Sequence, residues 1–314
     1  MSHYDTIRNR IHRQMVPLPI LFREDLSVDH KGLAEYVAWH MEQGTKNFCL
    51  TFTYSQLDFV TTDEIVDVTR TIMGIVGDDA VFIPCTGGGP LRTALETVQA
   101  FEKLGAHAAF VHVPEHCLQN ANQCGELYVR YIREVAAQTS IPLLAVALPV
   151  PWVSPTRTML QVPLIGELCE LEQFIGIKDD IYLLDNRMEL SRRFAGRMGI
   201  TGGGLFTHYI YFHHLPDQGE FVGIFNPRRG HRMLGLLDQN DYLSVLGMIE
   251  EDAQVGGLQL DLHWMAFNQV VFYAMGFAET YLMRGPIDSA TPEQTETIIE
   301  HMHARPIRFE RVAK

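Results

Sequence analysis

Residues 174–180 read FIGIKDD, an apolar run that ends abruptly on charged side chains. It reads as a short buried strand, and similar runs recur on both sides of it. Counting outward, the candidate strands are Val16–Phe22, Asn47–Thr53, Ala80–Thr86, His107–Val113, Pro142–Leu148, Phe174–Lys178, Gly199–Gly203 and Glu220–Phe225. Helical patterns lie between them. Lys31–Gln43 puts Leu33, Tyr36, Val37 and His40 on one stripe, and Leu91–Leu104 does the same with Leu95, Val98 and Phe101. Gly44, Gly105 and Gly196 fall where helices should stop. Eight strands alternating with helices imply a parallel α/β sheet, and the count of eight predicts a closed (β/α)8 TIM barrel. A doubly wound open sheet is the alternative, weakened because no GxGxxG follows the first strand. Beyond residue 230 the strand pattern ends. Leu234–Ile249, Asp261–Leu282 and Pro292–His303 read as a C-terminal three-helix extension. The expected division is a barrel over 1–230 and a helical extension over 231–314, packed on it.

Composition narrows the function. With 46% hydrophobic and 20% charged residues in 314, the chain is neither disordered nor a coiled coil. A net charge of −13 argues against nucleic acid and against anionic membranes. No run of about 20 uncharged apolar residues offers a membrane span. The opening MSHYDTIRNRIHRQ lacks the apolar core of a secretion signal. The five cysteines form no CxxC pair, which fits reduced thiols in a cytoplasm. Neither HExxH nor a Cys/His cluster occurs, so no metal and no cofactor is expected.

Only five of the 25 basic residues are lysines, and four sit in bland places. Lys178 is the exception. Strand alternation puts Phe174, Gly176 and Lys178 on one face and Ile175 and Ile177 on the other. The branched pair suits the helix side, so Lys178 should point inward at the C-terminal mouth, where barrel active sites are built. Burial disfavours a charged ammonium, and a neutral amine is a nucleophile suited to imine chemistry with a carbonyl. An ion pair with Asp179 or Asp180 accounts for the same lysine equally well.

A resemblance breaks that tie. The chain resembles the dihydrodipicolinate synthase / N-acetylneuraminate lyase family of class I aldolases along nearly its whole length. The likeness runs through VPLPILFREDLSVD (16–29), GTKNFCLTFTYSQLDFVTTDE (44–64), GAHAAFVHVPEH (105–116), IPLLAVALP (141–149), FIGIKDD (174–180), GEFVGIFNPRRG (219–230) and MRGPID (283–288). The resemblance implies a barrel with a C-terminal helical bundle, usually a homotetramer. It also implies action on a 2-oxo acid through a Schiff base, with Lys178 as the amine.

The departures are as informative. Where the family has a catalytic tyrosine in a YNxP stretch, this chain reads VALP, with Val146 at the tyrosine and Ala147 at the asparagine. The family's carboxylate-holding TTGE turn aligns with FTYS: Thr53 keeps a hydroxyl, while Tyr54 and Ser55 replace glycine and glutamate. Thr53 and Ser55 are therefore expected at the substrate. The arginine that follows YNxP in the synthases is missing from VPWVSP (150–155), so dihydrodipicolinate synthase itself is not expected. The family's PPYY stretch aligns with Pro114, Glu115 and His116.

His116 is the best-placed replacement acid–base, followed by Tyr54, and His112 shares the parity of His116 on the fourth strand. For each of the three, a hydrogen-bonded filler of the mouth is the plainer reading. Two TGGG segments, Thr86–Gly89 and Thr201–Gly204, follow strands. They could cradle an anion, but tight turning with room for substrate explains them better. An ungapped count from the eighth strand aligns Gly204 with the place where the family leaves space beside the imine, and Phe221 on that strand is counted among the substrate-binding residues.

The leading expectation is thus an aldolase-type lyase for a small-molecule 2-oxo acid. A catalytically retired member that binds a small ligand or acts as an oligomeric scaffold is the alternative. A phosphate-binding barrel isomerase would leave Lys178 unexplained. The apolar helix around Trp264–Met275 is read as an interface that supports the tetramer.

Overall fold

The first strand sets the closure of the sheet. In this computed structural model, which describes residues 2–114, 117, 123–150, 154–158, 160–180, 183–202, 207–215, 217–256, 262–306 and 308–313, that strand has two halves. Arg13–Gln14 and Val16–Pro17 together form β1. The first half pairs with β8 (Gln218–Glu220), the second with β2 (Asn47–Cys49), both in parallel. The ladder continues from β2 to β3 (Val81–Ile83), and a parallel bridge between Cys85 and Phe110 links β3 to β4 (Ala109–Val111). From β4 it passes to β5 (Leu143–Ala147), β6 (Phe174–Asp179), β7 (Gly199–Gly202) and back to β8. Eight parallel strands therefore close on themselves, as their count predicts.

Helix α1 (His3–Arg10) precedes the barrel. A helix then follows each strand: α2 (His30–Glu42), α3 (Thr62–Val76), α4 (Leu91–Lys103), α5 (Cys124–Ala136), α6 (Val162–Leu168), α7 (Leu184–Phe194), α8 (Thr207–Phe212) and α9 (Pro227–Asp238). Gly44, Gly105 and Gly196 stop α2, α4 and α7 at positive φ, which a residue without Cβ adopts freely. α4 buries Ala94, Thr97, Val98 and Phe101, the stripe its period requires. At the N-terminal end of the strands, Ile11 packs its side chain beside Gly199, closing the floor.

Strand lengths differ from expectation for identifiable reasons. In the run Val16–Phe22 the pairing with β2 stops after the Leu18 N–H meets the Cys49 carbonyl at 2.8 Å, because the Ser55 hydroxyl then takes both the Leu18 carbonyl and the Thr51 N–H. β8 starts at Gln218, earlier than Glu220–Phe225 suggested, since its polar side chains meet charged partners on the helix side.

The C-terminal extension needs two corrections. The expected Leu234–Ile249 helix is two elements, α9 and α10 (Tyr242–Gly256), broken where Asn240 takes φ 61°. α9 packs on β1 as the eighth barrel helix and runs across the expected boundary at residue 230. The remaining helices are α11 (Trp264–Ala274) and α12 (Pro292–His303). The apolar surplus of α11 is consumed within its own chain: Met265, Phe267, Val270, Val271 and Phe272 are buried. Phe272 and Phe277 each meet the Tyr36 ring edge-on at 5.2 Å. That helix therefore gives the tetramer no independent support. The Arg284 guanidinium ties the extension to the barrel. It donates to the carbonyls of Leu26 and Phe59 and to both carboxylate oxygens of Glu64, holding Glu64 down at about 2. Among the described residues no helix is long and apolar enough to cross a membrane.

Above Val111 and Ala145 the β4–β5 ladder ends, and a side chain replaces it. The buried Tyr128 hydroxyl, on α5, donates to the Val111 carbonyl and accepts from the Val146 N–H at 3.0 Å. Removing it leaves a buried donor and a buried acceptor without their partner. Tyr128→Phe should cost about 1–3 kcal/mol, seen as a lower urea midpoint at unchanged slope. An unchanged midpoint would mean that water takes the hydroxyl's place.

Candidate active site

Lys178 occupies the position that strand parity predicts. It is the fifth residue of β6, with its side chain 11% exposed and its ammonium paired to the Asp180 carboxylate. Its register partners are Val146 on β5 and Thr201 on β7. The ammonium lies 5.8 Å from the centre of the Phe221 ring. Phe221 is held by Tyr209 of α8, whose hydroxyl donates to the Phe221 carbonyl at 3.3 Å and accepts its N–H at 3.1 Å. Of the two aspartates that follow the lysine, alternation sends Asp180 inward and Asp179 outward. On that outer side the fully buried Asp179 interacts with the guanidinium of Arg187, which is itself buried. Arg187 donates twice to Gln218 Oε1, at 3.1 and 3.0 Å. Burial pulls its guanidinium below its ordinary value, opposed by the Asp179 charge. Gly202 makes this possible: a Cβ there would stand 2.7 Å from a guanidinium nitrogen.

Within electrostatic range of Lys178 are two buried thiols, Cys49 and Cys85, that reading the sequence did not single out. Burial pushes Cys85 up to about 12 and Cys49 higher still, while the Lys178 charge opposes both shifts. Protonated thiols of this kind behave as small apolar side chains.

His112 is the histidine that the fold brings to this neighbourhood. It follows β4, is buried, and has its Nδ1 2.8 Å from the Val113 carbonyl. A carbonyl only accepts, so Nδ1 carries the proton and Nε2 keeps a lone pair. The ring stacks on Phe52 with centroids 3.8 Å apart, and the His112 N–H donates to Thr86 Oγ1 at 3.0 Å. A Cβ at Gly88 would stand 3.4 Å from Nδ1, so the first TGGG turn packs directly on this imidazole. Burial lowers the imidazole to about 4; the Val113 carbonyl and the Asp180 charge oppose the shift, and the Lys178 charge adds to it.

The other expected residues divide. Thr53 is exposed in the turn after β2. Ser55 lies beside it but is already occupied: its hydroxyl donates to the Leu18 carbonyl at 2.6 Å and accepts the Thr51 N–H at 2.9 Å. It ties the turn to β1 and offers a substrate no donor. Tyr54 stacks on Trp264 of α11, with centroids 6.1 Å apart. Its hydroxyl is buried without a hydrogen-bond partner among the described residues, and burial drives the phenol far above its ordinary value. Such a group holds its proton at neutral pH and cannot serve as a base. His116 and Gly204 lie outside the described residues.

A closed eight-stranded barrel with a lysine at the C-terminal end of its sixth strand defines the class of protein. The model of the dihydrodipicolinate synthetase family matches residues 10–208, and the chain belongs to that family. It is 27% identical over 158 residues to a 4-hydroxy-tetrahydrodipicolinate synthase of Acidothermus cellulolyticus, covering 50% of this chain and 49% of that protein. The chain thus spans about half the length of the curated relatives it matches. Solved structures share the fold more fully. Dihydrodipicolinate synthase from Acinetobacter baumannii, complexed with pyruvate, superposes with a TM-score of 0.77 at 20% identity, over 93% of this chain and 98% of the other. N-acetylneuraminate lyase from Fusobacterium nucleatum gives 0.77 at 16% identity, over 95% and 99%.

Proposed function

We propose that this protein is a lyase of the Schiff-base aldolase type, and that Lys178 forms an imine with a small 2-oxo acid. The observation that carries the reading is Lys178 itself: an inward, nearly enclosed amine at the strand end, beside the Phe221 ring. The Asp180 carboxylate is the group nearest to take the ammonium proton before the amine attacks the carbonyl. Thr53, exposed in the turn after β2, is assigned to the substrate carboxylate on the family resemblance alone, since the amides of Thr51, Ser55, Gln56 and Leu57 are taken within the turn. Family membership supports the imine chemistry, and one structural relative was solved with pyruvate. The test is borohydride reduction in the presence of a panel of 2-oxo acids, followed by intact mass and peptide mapping. An adduct on Lys178 supports the reading. No adduct with any of them leaves the retired, ligand-binding member, which Val146 beside Lys178 favours.

We further infer a homotetramer, on family grounds alone. Light scattering at micromolar concentration should give four times the chain mass, and a monomer would refute it.

A further inference from the structure

The geometry points to His112 Nε2 as the base that takes a proton from C3 of the 2-oxo acid once Lys178 holds it as an imine. This inference rests on the Lys178 reading above. Three observations carry it. Lys178 and Val146 are paired across β6 and β5, and the β5–β4 register pairs Ala145 with Val111. Beyond that last pair the two chains continue to Val146 and His112, with the Tyr128 hydroxyl bridging the Val111 carbonyl and the Val146 N–H. Lys178, Val146 and His112 therefore stand in one row across three neighbouring strands, facing the same side. Two strand spacings leave about 10 Å between the outer backbones. A lysine stem and an imidazole span that gap with room for a small acid between them. The middle position carries valine, which offers no proton and little bulk.

Secondly, the imidazole is held in one orientation and one tautomer before any substrate arrives. Val113 takes the Nδ1 proton, Phe52 stacks on one face, and Thr86 anchors the backbone. Nε2 makes no hydrogen bond to any described residue. Thirdly, burial keeps the ring neutral at working pH, so the lone pair is present. Tyr54, the other nearby candidate, keeps its proton.

The step balances as follows. Lys178 Nζ, its third proton passed to Asp180, adds to the C2 carbonyl; Asp180 returns that proton so that the former carbonyl oxygen leaves as water, giving an iminium. The Nε2 lone pair takes a proton from C3, and the C3–H electron pair becomes the C2=C3 bond of an enamine. The C=N π pair comes to rest on Nζ, and His112 becomes an imidazolium. The reverse step returns a proton to C3, drawn from solvent if the imidazolium exchanges first.

Proton NMR of pyruvate in D2O reads this step as loss of the methyl signal, and borohydride trapping reads the preceding one. His112→Gln and His112→Val should still trap pyruvate, because imine formation uses the Lys178 amine. Their methyl exchange should fall by at least about 10²-fold, the usual contribution of a positioned base. Melting curves check both folds, and either variant alone suffices for the comparison. Exchange within a few-fold of the unmodified protein in a variant that traps would overturn the assignment of His112 and leave Lys178 standing. Trapping without any exchange by the unmodified protein would overturn it as well. No trapping at all would instead refute the Lys178 reading, and the inference with it.

Discussion

Lys178→Arg is expected to abolish borohydride trapping of any 2-oxo acid, with no residual adduct at another lysine. Arginine keeps the positive charge and can keep the ion pair to Asp180, so the fold around the strand end should survive. What it cannot supply is a neutral amine, because the guanidinium does not deprotonate in water. The variant therefore separates chemistry from electrostatics. Lys31, Lys46 and Lys103 are exposed; Lys31, for example, is on α2 and pairs with Glu35. An adduct persisting in the arginine variant, mapped to one of those residues, would mean that trapping had been adventitious.

The second large effect is a missing activity. In a coupled assay with pyruvate and aspartate semialdehyde, the protein should turn over at least about 10²-fold more slowly than a synthase that has the family's tyrosine. Acid–base help is worth about 10²–10⁴-fold, or roughly 3–5.5 kcal/mol in the barrier. Val146 offers no hydroxyl beside the amine. If His112 serves the C3 proton, the stretch where the synthases carry an arginine for the aldehyde partner still reads VPWVSP (150–155), which has no arginine. Val146→Tyr alone should therefore not restore the activity. Robust synthase turnover by the unmodified chain would show that another group supplies both functions.

The residues differ in how far each could be anticipated. Lys178 was legible because its inward direction follows from alternation along one strand, and its rarity drew attention to it. Ser55 was misleading for a reason no alignment of motifs reveals: its hydroxyl is taken by Leu18, 37 positions away in the chain. Tyr54 kept its place near the mouth but lost its expected role as a base, since Trp264 of α11 covers the ring and burial holds the proton. The Trp264–Met275 run was apolar enough to suggest a subunit interface, yet α2 supplies the aromatic partners within the same chain.

The alternation of strands and helices, the glycine stops at positions 44, 105 and 196 and the inward face of β6 are all written in periods of two or 3.6 residues. They depend on neighbours a few positions apart, so the one-dimensional pattern carries them. The row of Lys178, Val146 and His112, the capture of the Ser55 hydroxyl by the Leu18 carbonyl and the seating of the Tyr128 hydroxyl between Val111 and Val146 arise differently. Each depends on strand register and on which long-range donor or acceptor arrives first, and these are set only when the barrel closes and excludes water.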